Sequence, residues 1–423
     1  MNFLKVIILY VFTMVIKTYG VGEGAVITLQ FPAGAENTGL GETGVSIANT
    51  VNSVFWNPAN VACLYEELYL NHIYSNFHED LLPVLHLPEL YHDFSSFSTT
   101  LNNIFPHIDL GYAYFRNFIN MGINTIEDSN GVVIVNTNSD ETVTSNSIGI
   151  RGFDILSFGV SFKRYNSRLA PGIGGPTKPD DGIAKGYAID LGIRINKKFD
   201  ILGLFYLNPA IGVSALNLGK DSTEYIKGSS NKEPLPRIGW LGGSCEANVL
   251  DLFSYTYVYE LEYNLLKHPN ECTKHIGHKF QITPFYSIIK GKMTDTAGQR
   301  YEKSDGYVVC VNLRKTFLMI TKFVKVIDII NKTDNFSKLM EWDNSLTIRE
   351  FNFKPNIYYS KSHSVISGRK AESTREGQVR NDWSIGFGII GGFPDNLKKA
   401  LKTKKSAEPI KILKEEDGDE IVN

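Results

Sequence analysis

The sequence predicts an all-β protein: a closed antiparallel β-barrel that crosses a membrane, with a small plug made from its own N-terminal residues. Three observations carry this expectation. Many segments have an apolar residue at every second position, the residue mix is rich in Tyr, Phe and Gly, and a Gly-rich stretch without alternation precedes the first such segment.

The chain has 423 residues with 21 Tyr, 25 Phe and 37 Gly, a mix that suits short strands, tight turns and interfacial aromatic girdles. A formal net charge of −2 gives no basic stripe of the kind that recognises nucleic acid. Length alone would suggest two or three soluble domains, but a single barrel grows by adding strands to one closed sheet.

The first element is a targeting segment. Lys5 supplies a positive start, Val6 to Ile16 is an apolar run broken only by Thr13, and Thr18 and Gly20 are small residues suited to a cleavage site after Gly20. Such a run is too short to span a bilayer as a helix, which needs about 20 apolar residues, and has the length of a secretory signal. Residues 1–20 are therefore read as a signal peptide, which implies export. Residues 21–62 are rich in Gly and Ala and do not alternate; they are read as the N-terminal hatch.

Residues 63–393 are read as the barrel. Ile108, Leu110, Tyr112 and Tyr114 alternate with Asp109, Gly111 and Ala113. Leu156 to Lys163, Tyr187 to Ile195, Tyr255 to Asn264, Tyr307 to Arg314 and Trp383 to Ile390 repeat the pattern. A strand turns successive side chains to opposite faces, so each segment has one greasy face and one small or polar face. A soluble sandwich also alternates. Strands of about 9–11 residues, as a tilted crossing requires, aromatic strand ends and a polar face rich in Gly, Ala and Ser favour the membrane version. Residues 76–106 and 315–350 read as longer irregular connections, and the Pro- and Gly-rich stretch Leu169 to Asp181 as a loop. The tail 394–423, Lys-rich and then acidic, reads as solvated and disordered.

No other stretch reads as a transmembrane helix; Phe317 to Ile330 is broken by Lys322, Lys325 and Asp328. Only helices and closed barrels satisfy every backbone polar group in a bilayer. The four cysteines, Cys63, Cys245, Cys272 and Cys310, form no CxxC pair; bridging after export and isolated thiols both fit. Cys272, His275 and His278 are metal-ligating types, but on a strand the two histidines point to opposite faces, so no metal site is expected. No catalytic signature or phosphate loop is present, so no enzyme activity and no cofactor are expected.

The N-terminal region carries the sharpest motif: Phe31-Pro32-Ala33-Gly34-Ala35, then Gly39 to Gly44, then Val54-Phe55-Trp56-Asn57-Pro58-Ala59-Asn60. Glycines permit tight turns, Asn57-Pro58 starts one, and Trp56 can anchor it. This stretch resembles the PorV/PorQ family within the broader FadL-like outer-membrane barrels, whose mature chains open with a Gly-rich stretch ending in Trp-Asn-Pro-Ala. Ser167-Arg168-Leu169, Tyr187 to Gly192, Gly212-Val213-Ser214 with Asn217-Leu218-Gly219, Pro234 to Arg237 and His275-Ile276-Gly277 follow in the family's order. The likeness spans roughly residues 26–314; residues 315–380 match poorly, and the chain does not end on an aromatic residue, a role Phe393 could fill.

The resemblance implies about 14 strands, a hatch in the lumen, and an address in the bacterial outer membrane with outer-membrane lipid around it. It places the hatch motif at Gly39, Gly41, Trp56, Asn57, Pro58 and Ala59. Asp190, Arg194, Glu260 and Glu262 are candidates for lumen-facing polar groups. PorV-like function implies a type IX secretion component that binds secreted cargo proteins or other secretion components. FadL-like function, the alternative, implies uptake of hydrophobic small molecules. A structural surface β-protein without a pore is the further alternative.

Overall fold

A computed structural model describes residues 25–390, except residue 49 and residues 65–69, 83–86, 106, 128–129, 174–179, 202–203, 220–222, 229–231, 251, 267–271, 296–300 and 370–377, and with only scattered residues between 313 and 353. The expected signal peptide 1–20, the tail 394–423 and Phe393 lie outside the described residues.

Alternation does what elementary strand geometry demands. In β5 (Leu156–Arg168), Phe158, Val160 and Phe162 are 47, 37 and 61 % exposed, whereas Ser157, Ser161 and Lys163 are at most 2 % exposed. The same inversion holds in β6 (Ile183–Asn196), where Tyr187, Ile189, Leu191 and Ile195 face out and Ala188, Asp190 and Arg194 are buried. An apolar exterior around a polar interior is the reverse of a soluble barrel and is stable where the surrounding solvent is hydrocarbon. Among the described residues no helix is long and apolar enough to cross a membrane. The crossing is made by strands.

The remaining strands are β1 (Leu70–Asp80), β2 (Leu90–Phe105), β3 (Ile108–Glu127), β4 (Val133–Gly152), β7 (Phe199–Ile201), β8 (Phe205–Leu218), β9 (Ile238–Val249), β10 (Phe253–Asn264), β11 (Cys272–Thr283), β12 (Tyr286–Asp295), β13 (Tyr301–Asn312), β14 (Lys354–Arg369) and β15 (Val379–Ile390). All pair antiparallel with sequence neighbours, and the sheet closes through β1 with β15 and β6 with β8. The short β7 pairs with β8 immediately beyond the β6 contact, so β6 and β7 make one stave and the fifteen strands make fourteen staves. Closure leaves no free edge.

Short connections such as residues 153–155 and 284–285 lie at one end of the barrel, the turn end. At residues 153–155 Phe153 and Asp154 both take left-handed conformations, φ 55° each, to reverse the chain. Longer connections such as 169–182 and 219–237 lie at the other end, the loop end. Residues 313–353 break this division, because they join β13 to β14 at the turn end.

Two sequence expectations need correction. Residues 76–106 are mostly strand, the end of β1 and all of β2. The polar Ser95 to Thr100 run hides β2 because its lumenal face is Ser96, Ser98 and Thr100, while Phe94 faces in and Phe97 out, so no apolar alternation survives. Strand lengths also exceed the expected 9–11 residues: β3 and β4 have 20 residues each, because they continue at the loop end beyond the ends of β2 and β5 as a two-stranded hairpin.

Candidate functional site

Residues 25–64 form the short helix Ala35–Gly39 and three single 3-10 turns, Ile27–Leu29, Val51–Phe55 and Pro58–Cys63. None of these is long enough to hold itself, since an isolated helix of this size is unstable in water. Their stability comes from the barrel wall. The segment is in contact with all fourteen staves, at points that include the turn Val51–Phe55 against β1, Asn52 with Ser96 on β2, Thr28 with Asn117 on β3, and Pro58 against Gly159 on β5. Further round, Trp56 meets Ser214 on β8, Gly41 meets His275 on β11, and Ala35 meets Asp382 on β15. The chain descends from Ala25, whose N–H donates to Pro234 in the loop-end connection 219–237, to Leu64 near the turn end.

Two kinds of contact hold it. The first is steric. Gly111, Gly149, Gly159 and Gly192 stand side by side in register on β3, β4, β5 and β6. The turn Pro58–Cys63 and the residue before it rest on this row. A Cβ at Gly159 would lie 2.2 Å from the carbonyl carbon of Pro58, and one at Gly192 would lie 2.0 Å from Asn57 Oδ1. Only a residue without a side chain permits so close an approach.

The second kind is electrostatic. Glu260 on β10 accepts the backbone N–H groups of Gly44, Val45 and Ser46 at 2.8–3.1 Å and the Ser46 hydroxyl at 2.8 Å. Successive N–H groups converging on one carboxylate form an anion-binding nest. Asp382 accepts the Ala35 N–H at 2.9 Å and Asn52 Nδ2 at 3.2 Å. Glu141 accepts the Thr28 N–H at 2.9 Å and its hydroxyl at 2.7 Å. In return the wall's cations meet the segment's own acids, Lys279 with Glu36 at 2.7 Å and Arg380 with Glu42 at 3.2 Å, while Arg380 is also paired with Glu79 on β1 at 2.6 Å. Buried charges persist only when paired and hydrogen-bonded.

The residues singled out from sequence take definite places. Trp56 is 2 % exposed, donates its indole N–H to Ala33 O at 3.3 Å, and meets Phe55 and Trp240 edge-on, each at 5.4 Å. Asn57 accepts the Ala59 N–H and donates to Val45 O and, across to the wall, to Ile193 O. Pro58 and Ala59 are buried. Gly39 leaves no room for a side chain beside Ile289 and Ser364, and Gly41 adopts φ 80° against Ile276 O and Lys292 backbone atoms.

Asp190, Arg194 and Glu260 are buried. Asp190 pairs with Lys163 at 2.7 Å and accepts the Asn217 N–H, Arg194 donates to Ser46 O at 3.0 Å, and Glu262 meets His275 Nε2 at 3.2 Å. His275 also contacts Gly41 O, whereas His278 lies on the outer face among Tyr255, Tyr257 and Phe280.

Sequence reasoning missed Glu141, Lys279, Arg380 and Asp382 as anchors. Their signal was available in one form: each is a charged residue on a strand's polar face. At the loop end, Tyr225 of the connection 219–237 is hydrogen-bonded with Ser167 on β5, and burial pushes its phenol pKa up to about 12.

Within the lumen, Phe55, Trp56, Phe77, Phe94, Phe115 and Trp240 pack into one buried cluster, beside smaller apolar clusters such as Val51, Val61, Ile73 and Ala113. Lys163 Nζ lies 5.5 Å from the Phe55 ring centroid and 6.0 Å from that of Phe115.

No known protein family matches the sequence, and no curated protein is similar to it. Among solved structures, the Pseudomonas putida toluene transporter TodX is 12% identical, with 88% of this chain and 100% of that one covered and a TM-score of 0.41. The Ralstonia pickettii toluene transporter TbuX is 10% identical, with 86% and 98% covered and a TM-score of 0.41. A Pseudomonas aeruginosa FadL homologue is 10% identical, with 84% and 97% covered and a TM-score of 0.37. At these values the likeness carries nothing beyond what strand pairing establishes for this chain.

Proposed function

We propose that the protein is a transport barrel of the bacterial outer membrane, that residues 25–64 act as its hatch, and that it admits small hydrophobic molecules. The observation that carries the proposal is the aromatic cluster buried where the segment meets the wall, with Phe55 and Trp56 from the segment and Phe77, Phe94, Phe115 and Trp240 from β1, β2, β3 and β9. A barrel built only for rigidity has no need to bring a separate segment into its lumen and anchor it by buried charges, each of which carries a desolvation cost. A wide aqueous pore has no need of an aromatic cluster packed across its lumen. Aromatic faces with one cation nearby, Lys163, suit an apolar or aromatic ligand. The same cluster favours uptake over secretion of protein cargo, which would need a partner surface and not a lumenal apolar site.

The test is binding and uptake. Proteoliposomes bearing the barrel should accumulate a labelled aromatic hydrocarbon faster than empty ones, and Trp240→Ala should lower the rate while leaving the barrel folded. Equal uptake by Trp240→Ala and the parent, with hydrocarbon failing to alter Trp fluorescence in a Trp383→Phe background, would exclude this reading.

A further inference from the structure

The connection between β13 and β14 leaves the barrel at the turn end, and its first part is helical. Every described residue from 316 to 328 is in helical conformation. The Thr316 hydroxyl donates to Asn312 O at 2.9 Å, so the helix starts within one turn of the end of β13. Residues seven apart share one stripe of a helix. On one stripe Ile320 and Ile327 are 41 and 38 % exposed, with Val324 half-buried between them. On the next, Thr321 and Asp328 are 6 and 8 % exposed. Asp328 accepts from Asn335 Nδ2 at 3.0 Å, so the buried acid is hydrogen-bonded.

A helix packed on a protein in water turns its apolar stripe inward. This one turns its polar stripe inward and its apolar stripe outward, as β5 and β6 do with their two faces. One surrounding solvent, hydrocarbon, explains both. The outer surface where the helix begins is already apolar: Val311 on β13, Tyr359 directly across from it on β14, and Ile357 are all exposed. A helix of this span is about 20 Å long, short of the roughly 30 Å hydrocarbon core. An exposed apolar stripe on a helix too short to cross is accommodated in the membrane surface, parallel to the bilayer plane. The charge of the sequence fits such a surface. Arg314, Lys315, Lys322 and Lys325 fall within residues 314–325, and no acidic residue occurs from 306 to 327. Basic residues beside an interfacial helix are attracted by anionic headgroups.

We infer that residues 316–328 are an interfacial helix, lying in the phospholipid leaflet at the turn end with Ile320, Val324 and Ile327 among the acyl chains, and that it prefers phospholipids with a net negative headgroup. The inference rests on the membrane reading of the barrel and is independent of what the lumen carries.

A nitroxide depth measurement on the full-length protein in liposomes tests the placement. A spin label at Ile327→Cys, in a background with Cys63, Cys245, Cys272 and Cys310 changed to Ser, should collide with oxygen more often than with an aqueous nickel complex. Its depth should be about 5–10 Å below the headgroups. A label that meets nickel more often than oxygen would overturn the proposal. Hydrogen exchange supplies a second readout. Residues 316–328 should exchange roughly 10-fold faster in Ile320→Gln with Ile327→Gln than in the parent, while the strands keep their protection. Ile123→Gln, at an exposed apolar residue on the loop-end part of β3, should leave the helix unchanged. Every variant should keep the heat-modifiable gel shift of a folded barrel. Equal exchange in the parent and the double variant would mean that the protein alone holds the helix, and would overturn the proposal. Exchange in phosphatidylcholine should slow when phosphatidylglycerol is added; no difference would overturn the anionic preference. Dipolar broadening between labels that disappears on dilution with unlabelled protein would give the stripe to a second copy of the chain instead.

Discussion

The two ends of the N-terminal segment are held differently. Residues 57–62 sit on a row of in-register glycines, where fit depends on the absence of atoms. Residues 25–47 also rest on glycines, Leu40, Gly41 and Val45 against Gly277, Gly291 and Gly212, but are held in addition by carboxylates and cations from the wall, where fit depends on charge. The difference teaches where each end can yield. A steric seat tolerates no added atom but loses little when a polar group is neutralised. A seat that also relies on charge fails when one partner is removed, because the groups left behind are buried and unpaired. The rigid seat lies near the turn end and the charged one extends to the loop end, so any opening of the hatch should begin from residues 25–47.

The strongest break should come at the charged seat. Glu260→Ala strands three backbone N–H groups and one hydroxyl. At roughly 1–3 kcal/mol per unsatisfied donor it should cost at least about 3 kcal/mol. Hydrogen exchange should quicken at Gly44, Val45 and Ser46 while residues 57–62 stay protected. Equal protection of both stretches in this variant would mean that Glu260 is not a seat.

Val160→Arg separates damage to the barrel from damage to the seating. Val160 faces lipid one residue after Gly159 and is 37 % exposed. The substitution should cost about 2–4 kcal/mol if Val160 lies near the bilayer midplane, read as urea unfolding in liposomes, with exchange at residues 57–62 unchanged.

Gly159→Ala attacks the steric seat. Its new methyl would fall against Pro58, so overpacking of about 1–3 kcal/mol is expected, with faster exchange confined to residues 57–62. Gly152→Ala sharpens the contrast. Nothing lies within 4 Å of a Cβ there, and the change should stay within about 0.5 kcal/mol. If both glycine variants behave alike, the in-register row is not a seat.

The strand faces were legible in the sequence wherever hydrocarbon selects one side. Tyr255 to Tyr263, Phe158 to Phe162 and Trp383 to Phe387 alternate cleanly because every outward position meets lipid. β2 was not legible, because its lumenal Ser96, Ser98 and Thr100 and its outward Thr99 and Ser95 are all small and polar. β14 was hidden by Lys361, Ser362 and His363 and by residues 313–353 ahead of it. The motif around Trp56 announced a compact segment, and Glu260 was visible as an acid on a polar strand face. Its task was not, because its partners stand more than two hundred residues earlier in the chain. The glycine row was equally hidden, since Gly111, Gly149, Gly159 and Gly192 become neighbours only once four strands are paired in register.

The central claim is that residues 25–64 close the lumen. Single-channel conductance in planar bilayers tests it most directly, with the intact protein compared against a variant lacking residues 26–60. The account predicts an intact barrel that is closed to ions and a deleted barrel that inserts and conducts steadily. Equal conductance from two folded, heat-modifiable proteins would contradict it.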